Sequence, residues 1–131
     1  MSCLFCSIVA GEIPSKLVYE DDAALAFLDI NPWHAGHTLV IPKEHVETVL
    51  EDSSILAEIA PAIVATAALL TAKLGADGMN VLSNAGGVSG QEVFHAHVHL
   101  IPRYANLPGI AGMSMREDGI DLNEIHARIV N

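Results

Sequence analysis

Gly90-Gln91-Glu92-Val93-Phe94-His95-Ala96-His97-Val98-His99-Leu100-Ile101-Pro102-Arg103 is the stretch whose reading decides the fold. Three histidines alternate with small or apolar residues. In a β-strand successive side chains point to opposite faces, so His95, His97 and His99 share one face, with Val93 and Ile101 continuing the row. Phe94, Ala96, Val98 and Leu100 then form an apolar opposite face that packs a core. On a helix the same histidines would fan apart, because residues two apart do not face each other. The strand reading makes a site of three imidazoles roughly 6–7 Å apart. By the same alternation Glu92 points away from them.

Working outward, Asn84-Ala85-Gly86-Gly87-Val88-Ser89-Gly90 is a glycine-rich turn preceded by a strand over residues 79–83. It lacks the Walker lysine, and a strand rather than a helix follows, so its role is to bring backbone N–H groups near whatever the histidines hold. Upstream, residues 46–74 change period. Asp52, Ser53 and Ser54 offer N-caps, and Ile55, Ile59, Ile63 and Leu70 fit a long helix buried on most sides. Gly75 is its C-cap, and Pro61 kinks it or starts its second part. Further back lie three strands: residues 16–20, 24–28 and 37–41, the last stopped by Pro42. Asp21-Asp22 turns the first hairpin, and Asp29-Ile30-Asn31-Pro32 opens a loop that ends at Gly36. The tail after Arg103 is irregular until a short helix over residues 122–130. His34 and His126 read as surface residues, and Trp33 as a loop or dimer contact.

The 131 residues suit one domain: an N-terminal segment 1–10, a core 11–103 and a tail 104–131. Apolar residues make up 51% of the chain and the net charge is −10, which argues against a binder of nucleic acid polymers, since that footprint needs clustered Lys and Arg. A small nucleotide is not excluded, because local N–H groups and histidines can meet its phosphates. The longest apolar run, residues 59–70, contains Pro61 and is too short to span a bilayer. The N-terminus shows no charged region followed by an apolar one, so no secretory signal is expected. Cys3-Leu4-Phe5-Cys6 is half a zinc site by spacing, with buried thiols as the alternative. Two cysteines so close together make no disulfide framework, which fits a reducing, cytoplasmic setting.

With these residues in view, the sequence resembles the histidine triad (HIT) nucleotide-binding family, in the bacterial-type branch that contains zinc. His95-Ala96-His97-Val98-His99-Leu100-Ile101 matches the family signature, His alternating with apolar residues, at every position. Glu12-Ile13-Pro14, the segment Phe27 to Pro32, the segment His37 to His45, and Asn84, Gly90 and Gln91 stand where members carry similar segments. The resemblance implies an α+β fold, a five-stranded antiparallel sheet with one long helix, pairing into a ten-stranded sheet in a homodimer. It implies a hydrolase or transferase acting at the α-phosphorus of a purine nucleotide such as an AMP or GMP derivative, through a nucleotidyl-histidine. By position, His97 is the nucleophile, supported by His99, His95 and the fourth histidine, His37. Asp29 corresponds to the carboxylate on the ribose hydroxyls. Phe5, Ile13, Phe27 and Ile30 correspond to the walls around the base, and Asn84, Gln91, Val93 and His99 to the phosphate contacts. Cys3, Cys6, His45 and His95 correspond to a structural Cys₂His₂ zinc site, which would leave the ion out of the chemistry.

The roles have a physical sense. Histidine's ordinary pKa of about 6.5 leaves one ring nitrogen free near neutral pH. The other nitrogen must donate to something that holds the tautomer, while neighbouring rings donate to the phosphoryl oxygens. Some branches carry Ser or Thr in place of Glu92 as a donor to the leaving group, a role an ionised carboxylate cannot fill. Two alternatives stand beside this reading: a zinc hydrolase using His95 and His97 as catalytic ligands, and a nucleotide-binding module without catalysis. The leaving group, whether an amine, a lysine or a second nucleotide, is not written in any motif.

Overall fold

The computed structural model describes residues 3–110 and 117–130. Five strands form one antiparallel sheet: β1 (Leu17–Glu20), β2 (Ala24–Leu28), β3 (Thr38–Pro42), β4 (Gly78–Leu82) and β5 (Val98–Arg103), in the order β1-β2-β3-β5-β4. β1 to β3 form a meander. Its first turn is made by Asp21, whose Oδ1 accepts the N–H groups of Ala23 and Ala24 at 2.9 and 2.8 Å. From β3 the chain leaves the sheet through helix α2 (Ser53–Leu74) and returns as the edge strand β4. β5 then inserts between β3 and β4, antiparallel to both. The last strand is therefore an interior one: His99 is paired on both sides, and His97 stands just before the strand.

Alternation sorts the two faces. Ala24, Ala26, Val40, Val98 and Leu100 turn toward α2, where Ile55, Ile59, Ala62 and Leu70 complete one core. Leu25, Phe27, Leu39 and Ile41 turn the other way and meet Phe5 in a second, smaller cluster. Burying each large side chain contributes about 1.5–3 kcal/mol. Asp52 caps α2 by accepting the Ser54 N–H at 2.8 Å, and Gly75 ends it in the left-handed region at φ 70°. Gly36 is needed for a similar reason and one more. Its φ is +89°, and an added Cβ would lie 2.5 Å from Leu74 Cδ1 and 3.2 Å from Pro102 Cγ.

Several expectations need correction. The ladder of β5 begins only at Val98, so the histidine stretch is not one continuous strand. Residues 93–95 form a bend, and the Ala96 N–H donates to Val46 O at 2.7 Å rather than to a neighbouring strand. Alternation fails across that bend. Phe94, expected in the core, is 49% exposed, and Glu92, expected to face away, lines the cavity described below. Pro61 does not divide α2, which runs unbroken from Ser53 to Leu74. The proline lies on the exposed side, where the Ala57 carbonyl left without a donor is open to water. With its polar ends included, α2 is long and apolar enough to cross a membrane by length and composition, unlike the shorter run read from sequence. It is amphipathic by packing instead, with one side buried on the sheet.

Two further helices complete the described chain: α1 (Leu4–Val9), which the sequence reading missed, and α3 (Leu122–Val130), which buries no residue within the chain. α1 begins at Cys3, whose Sγ accepts the Cys6 N–H at 3.4 Å. His34, expected at the surface, is half-buried and tied down, its Nδ1–H donating to Pro102 O at 3.2 Å.

Candidate active site

The face opposite α2 holds a cavity of about 930 Å³. Phe5 and Ile8 of α1, Ile13, Phe27 and Leu39 form its apolar walls, with Ile30 and Trp33 at an exposed lip. Asn84, Ser89, Gly90, Val93, His97 and His99 form its polar end, and Asp29 and His37 also line it. Phe5 is placed there by edge-on ring contacts, at 5.5 Å to Phe27 and 5.2 Å to His97. Gly90 sits against the Asn84 side chain at φ +106°, so the loop can fold over that residue.

Hydrogen bonds assign the imidazole tautomers. A carbonyl only accepts, so His97 Nδ1, 2.7 Å from His95 O, carries the proton and leaves Nε2 with its lone pair in the cavity that His97 lines. Ser83 Oγ steadies this segment by donating to His97 O at 2.6 Å. A backbone N–H only donates, so His37 Nδ1 accepts from Trp33 N–H at 3.0 Å and its Nε2 carries the proton. That Nε2–H is 3.0 Å from His99 Nδ1 and 3.5 Å from Asp29 Oδ2. His99 Nδ1 thus accepts, and its Nε2–H becomes a donor for a ligand. Burial first, then the neighbouring His97 and His37, push the His99 pKa down to about 4, with Asp29 opposing. Burial likewise lowers His37, reinforced by Arg103 and His34 and opposed by Asp29. Both rings are neutral near pH 7, as this donor–acceptor chain requires.

His95 stands apart. It is buried, does not line the cavity, and donates Nε2–H to Pro42 O at 2.8 Å. Its free Nδ1 faces Cys3 Sγ at 3.5 Å, Cys6 Sγ at 3.6 Å and His45 Nδ1 at 3.3 Å. Cys6 Sγ and His45 Nδ1 are 3.3 Å apart, and all four ligand atoms lie within 4.8 Å of one another. Around a tetrahedral ion with bonds of about 2.3 Å to sulfur and 2.0–2.1 Å to nitrogen, the edges are roughly 3.3 Å for N–N and 3.6 Å for S–N. The cluster can therefore hold a metal. Burial, then the Cys3 thiol beside it, raises the Cys6 pKa, and a bound cation reverses that balance. The ring nitrogens of His95 and His97 do not converge, because the two side chains serve different sites, so the paired zinc ligands of the hydrolase alternative are not brought together.

Of the residues expected at the nucleotide, Phe5, Ile13, Phe27, Asp29, Ile30, Asn84, Val93 and His99 all line the cavity. Gln91 is the exception and is corrected. It is buried, with Nε2 donating to Glu47 O at 2.7 Å and Val93 O at 3.0 Å while Oε1 accepts the Gly86 N–H at 2.8 Å. Its side chain braces the loop and has nothing left to offer a phosphate. Leu39 and the Trp33 lip were missed. Leu39 was legible, since it lies two residues beyond His37 on the same strand face.

The chain belongs to the HIT-domain family: the family model for the HIT domain matches residues 10–106. It is 52% identical over 103 residues to the HIT-like protein MJ0866 of Methanocaldococcus jannaschii, covering 78% of this chain and 79% of that one. It is 45% identical over 105 residues to adenosine 5'-monophosphoramidase hnt1 of Schizosaccharomyces pombe, covering 79% and 75%. Among solved structures, a HIT-family protein of Bacillus subtilis matches with a TM-score of 0.85 at 41% identity, covering 98% of this chain and 95% of that one. A zinc-bound histidine triad protein of Mycobacterium smegmatis matches with a TM-score of 0.76 at 40% identity, covering 90% and 84%.

Proposed function

We propose that this chain is a purine nucleotide hydrolase or transferase acting at the α-phosphorus of nucleoside phosphoramidates or dinucleoside polyphosphates through a nucleotidyl-histidine on His97. The observation that carries it is the His97 Nδ1–H bond to His95 O, which leaves an unprotonated Nε2 at the polar end of a nucleotide-sized cavity. In the first step that lone pair forms an N–P bond while the bond to the leaving group breaks, its electrons departing with the leaving group, which takes up a proton. In the second, water adds to phosphorus and the N–P bond breaks, releasing the nucleotide. His99 Nε2–H, held by the His37 chain, donates to the phosphoryl oxygen as charge builds. Asp29 meets the ribose, and Phe5, Ile13, Phe27 and Ile30 enclose the base. A relative that is an adenosine 5'-monophosphoramidase supports this reading.

Cys3, Cys6, His45 and His95 would hold a structural zinc, supported by the spacing of their donor atoms and by a zinc-bound relative. Held there, such an ion would tie α1 to the triad segment through these four residues and would take no part in the chemistry. Both cysteines are free, and a reducing, cytoplasmic setting keeps them so. The expected homodimer has material on which to form. Leu56, Ala60, Val64 and Ala68 make an exposed apolar stripe along α2, and Val81 is exposed on edge strand β4. Two such edges would join into a ten-stranded sheet. A monomer at micromolar concentration in sedimentation would refute this.

His97→Ala tests the chemistry. The variant is expected to keep its full metal content, to form no labelled adduct with adenylyl substrates, and to lose turnover by several orders of magnitude. Retained turnover would overturn the covalent route, and loss of metal would favour a catalytic metal instead.

A further inference from the structure

The charges around the cavity bear on the leaving group. Among the described residues that line it Lys16 is the one Lys or Arg, just before β1, where its carbonyl accepts the Leu28 N–H at 3.0 Å. Of the two lining carboxylates, Asp29 is engaged: Oδ1 accepts the Asn31 N–H at 2.8 Å and Oδ2 lies near His37. Glu92 is exposed at the polar end, and among the described residues its carboxylate has no hydrogen bond or ion pair. An adjoining recess of about 670 Å³, lined by Cys3, Cys6 and His45 of the metal cluster, shares Leu4, Glu92 and Val93 with the cavity and adds Glu47, also exposed. A zinc bound by two thiolates and two neutral imidazoles carries no net charge, so it would not offset these carboxylates.

A polyphosphate leaving group brings several negative charges and needs Lys or Arg to meet them. This rim offers carboxylates. We propose that Glu92, seconded by Glu47, selects an amine leaving group bearing a second, positively charged nitrogen a few carbons from the scissile P–N bond, over neutral and anionic amines. The inference rests on the nucleotidyl-transfer reading above. The His97 N–P bond forms, the P–N bond breaks with its electron pair staying on the amine, and that nitrogen takes a proton from water. Glu92 acts only on the distal ammonium, through its charge. One opposite charge about 5–6 Å away at a wet rim changes a rate constant roughly tenfold.

The test uses the full-length, metal-loaded protein and three adenosine 5'-phosphoramidates of equal length, made from 1,5-diaminopentane, pentylamine and 5-aminopentanoate. The expected order of kcat/KM is cationic, neutral, anionic, about tenfold apart at low salt and compressed at high salt. In Glu92→Gln the ratios among the three fall most of the way to one, and Glu47→Gln added to it removes the rest. Equal kcat/KM for the three in the unaltered protein, or unchanged ratios among them in Glu92→Gln, would overturn this inference alone. Turnover of none of them would overturn the nucleotidyl-transfer reading together with it.

Discussion

Removing the metal should undock α1 and leave the sheet intact. Ordering seven residues, Cys3 to Val9, costs about 1–1.5 kcal/mol each, roughly 7–10 kcal/mol in all. Against this stand burial of Phe5, worth about 2–3 kcal/mol, and of half-buried Ile8, worth about 1 kcal/mol. The local backbone bonds include Ser7 N–H to Cys3 O at 3.0 Å, Ala10 N–H to Cys6 O at 2.9 Å and Glu12 N–H to Ser7 O at 2.9 Å. At about 1 kcal/mol each, such bonds bring the sum to within a few kcal/mol of zero. A structural zinc adds on the order of 10 kcal/mol, enough to decide the outcome. Chelated protein, or Cys6→Ser, is therefore expected to lose amide protection at Ser7, Ala10 and Glu12 while strands β2, β3 and β5 keep theirs. Because Phe5 leaves the cavity with α1, AMP should bind about tenfold more weakly, a loss of about 1.4 kcal/mol. Hydrogen exchange read by mass spectrometry, with metal content measured on the same samples, is the assay. Equal protection of those three amides with and without metal would refute the reasoning.

Acid should act through the lowered histidines. With the folded pKa of His99 at about 4 and that of His37 also below its ordinary value, the unfolded chain binds protons first as pH falls below about 6.5. The contribution of these two rings to stability is then flat above about pH 7 and falls between there and pH 4, and His99→Gln should flatten that fall by about one proton, measured from denaturant midpoints. An identical slope in the variant would count against the assignment. In the core, Thr66 is fully buried with no partner for Oγ1 among the described residues. Thr66→Val should stabilise the fold by about 1 kcal/mol, a rise of a few degrees in Tm by calorimetry, and destabilisation would show that the hydroxyl is satisfied.

Sequence alone went far here because local rules and global fold agree at most positions. β2 and α3 appear over the residues their patterns indicate, and β1, β3 and β4 within one residue of theirs. Asp52 and Gly75 close α2 where capping chemistry places them. The failures share a cause. Alternation was extended through the bend at residues 93–95, where no partner strand holds the chain to period two, and so Phe94 and Glu92 were turned the wrong way. Gln91 looked like a ligand because its amide chemistry suits a phosphate, whereas burial beside Glu47 and Gly86 consumes every group it has.

Residue types and their spacing determined the fold class, the long helix, the apolar walls and the presence of imidazoles and thiols suited to phosphorus and to a metal. Tertiary structure decided how that chemistry is divided. Pro42 O and the thiols of Cys3 and Cys6 at the start of α1 draw His95 away to a separate cluster, while His95 O and Trp33 N–H choose which nitrogens of His97 and His37 carry protons. A ring's tautomer depends on a partner that approaches from another part of the chain, and no local pattern encodes that distance.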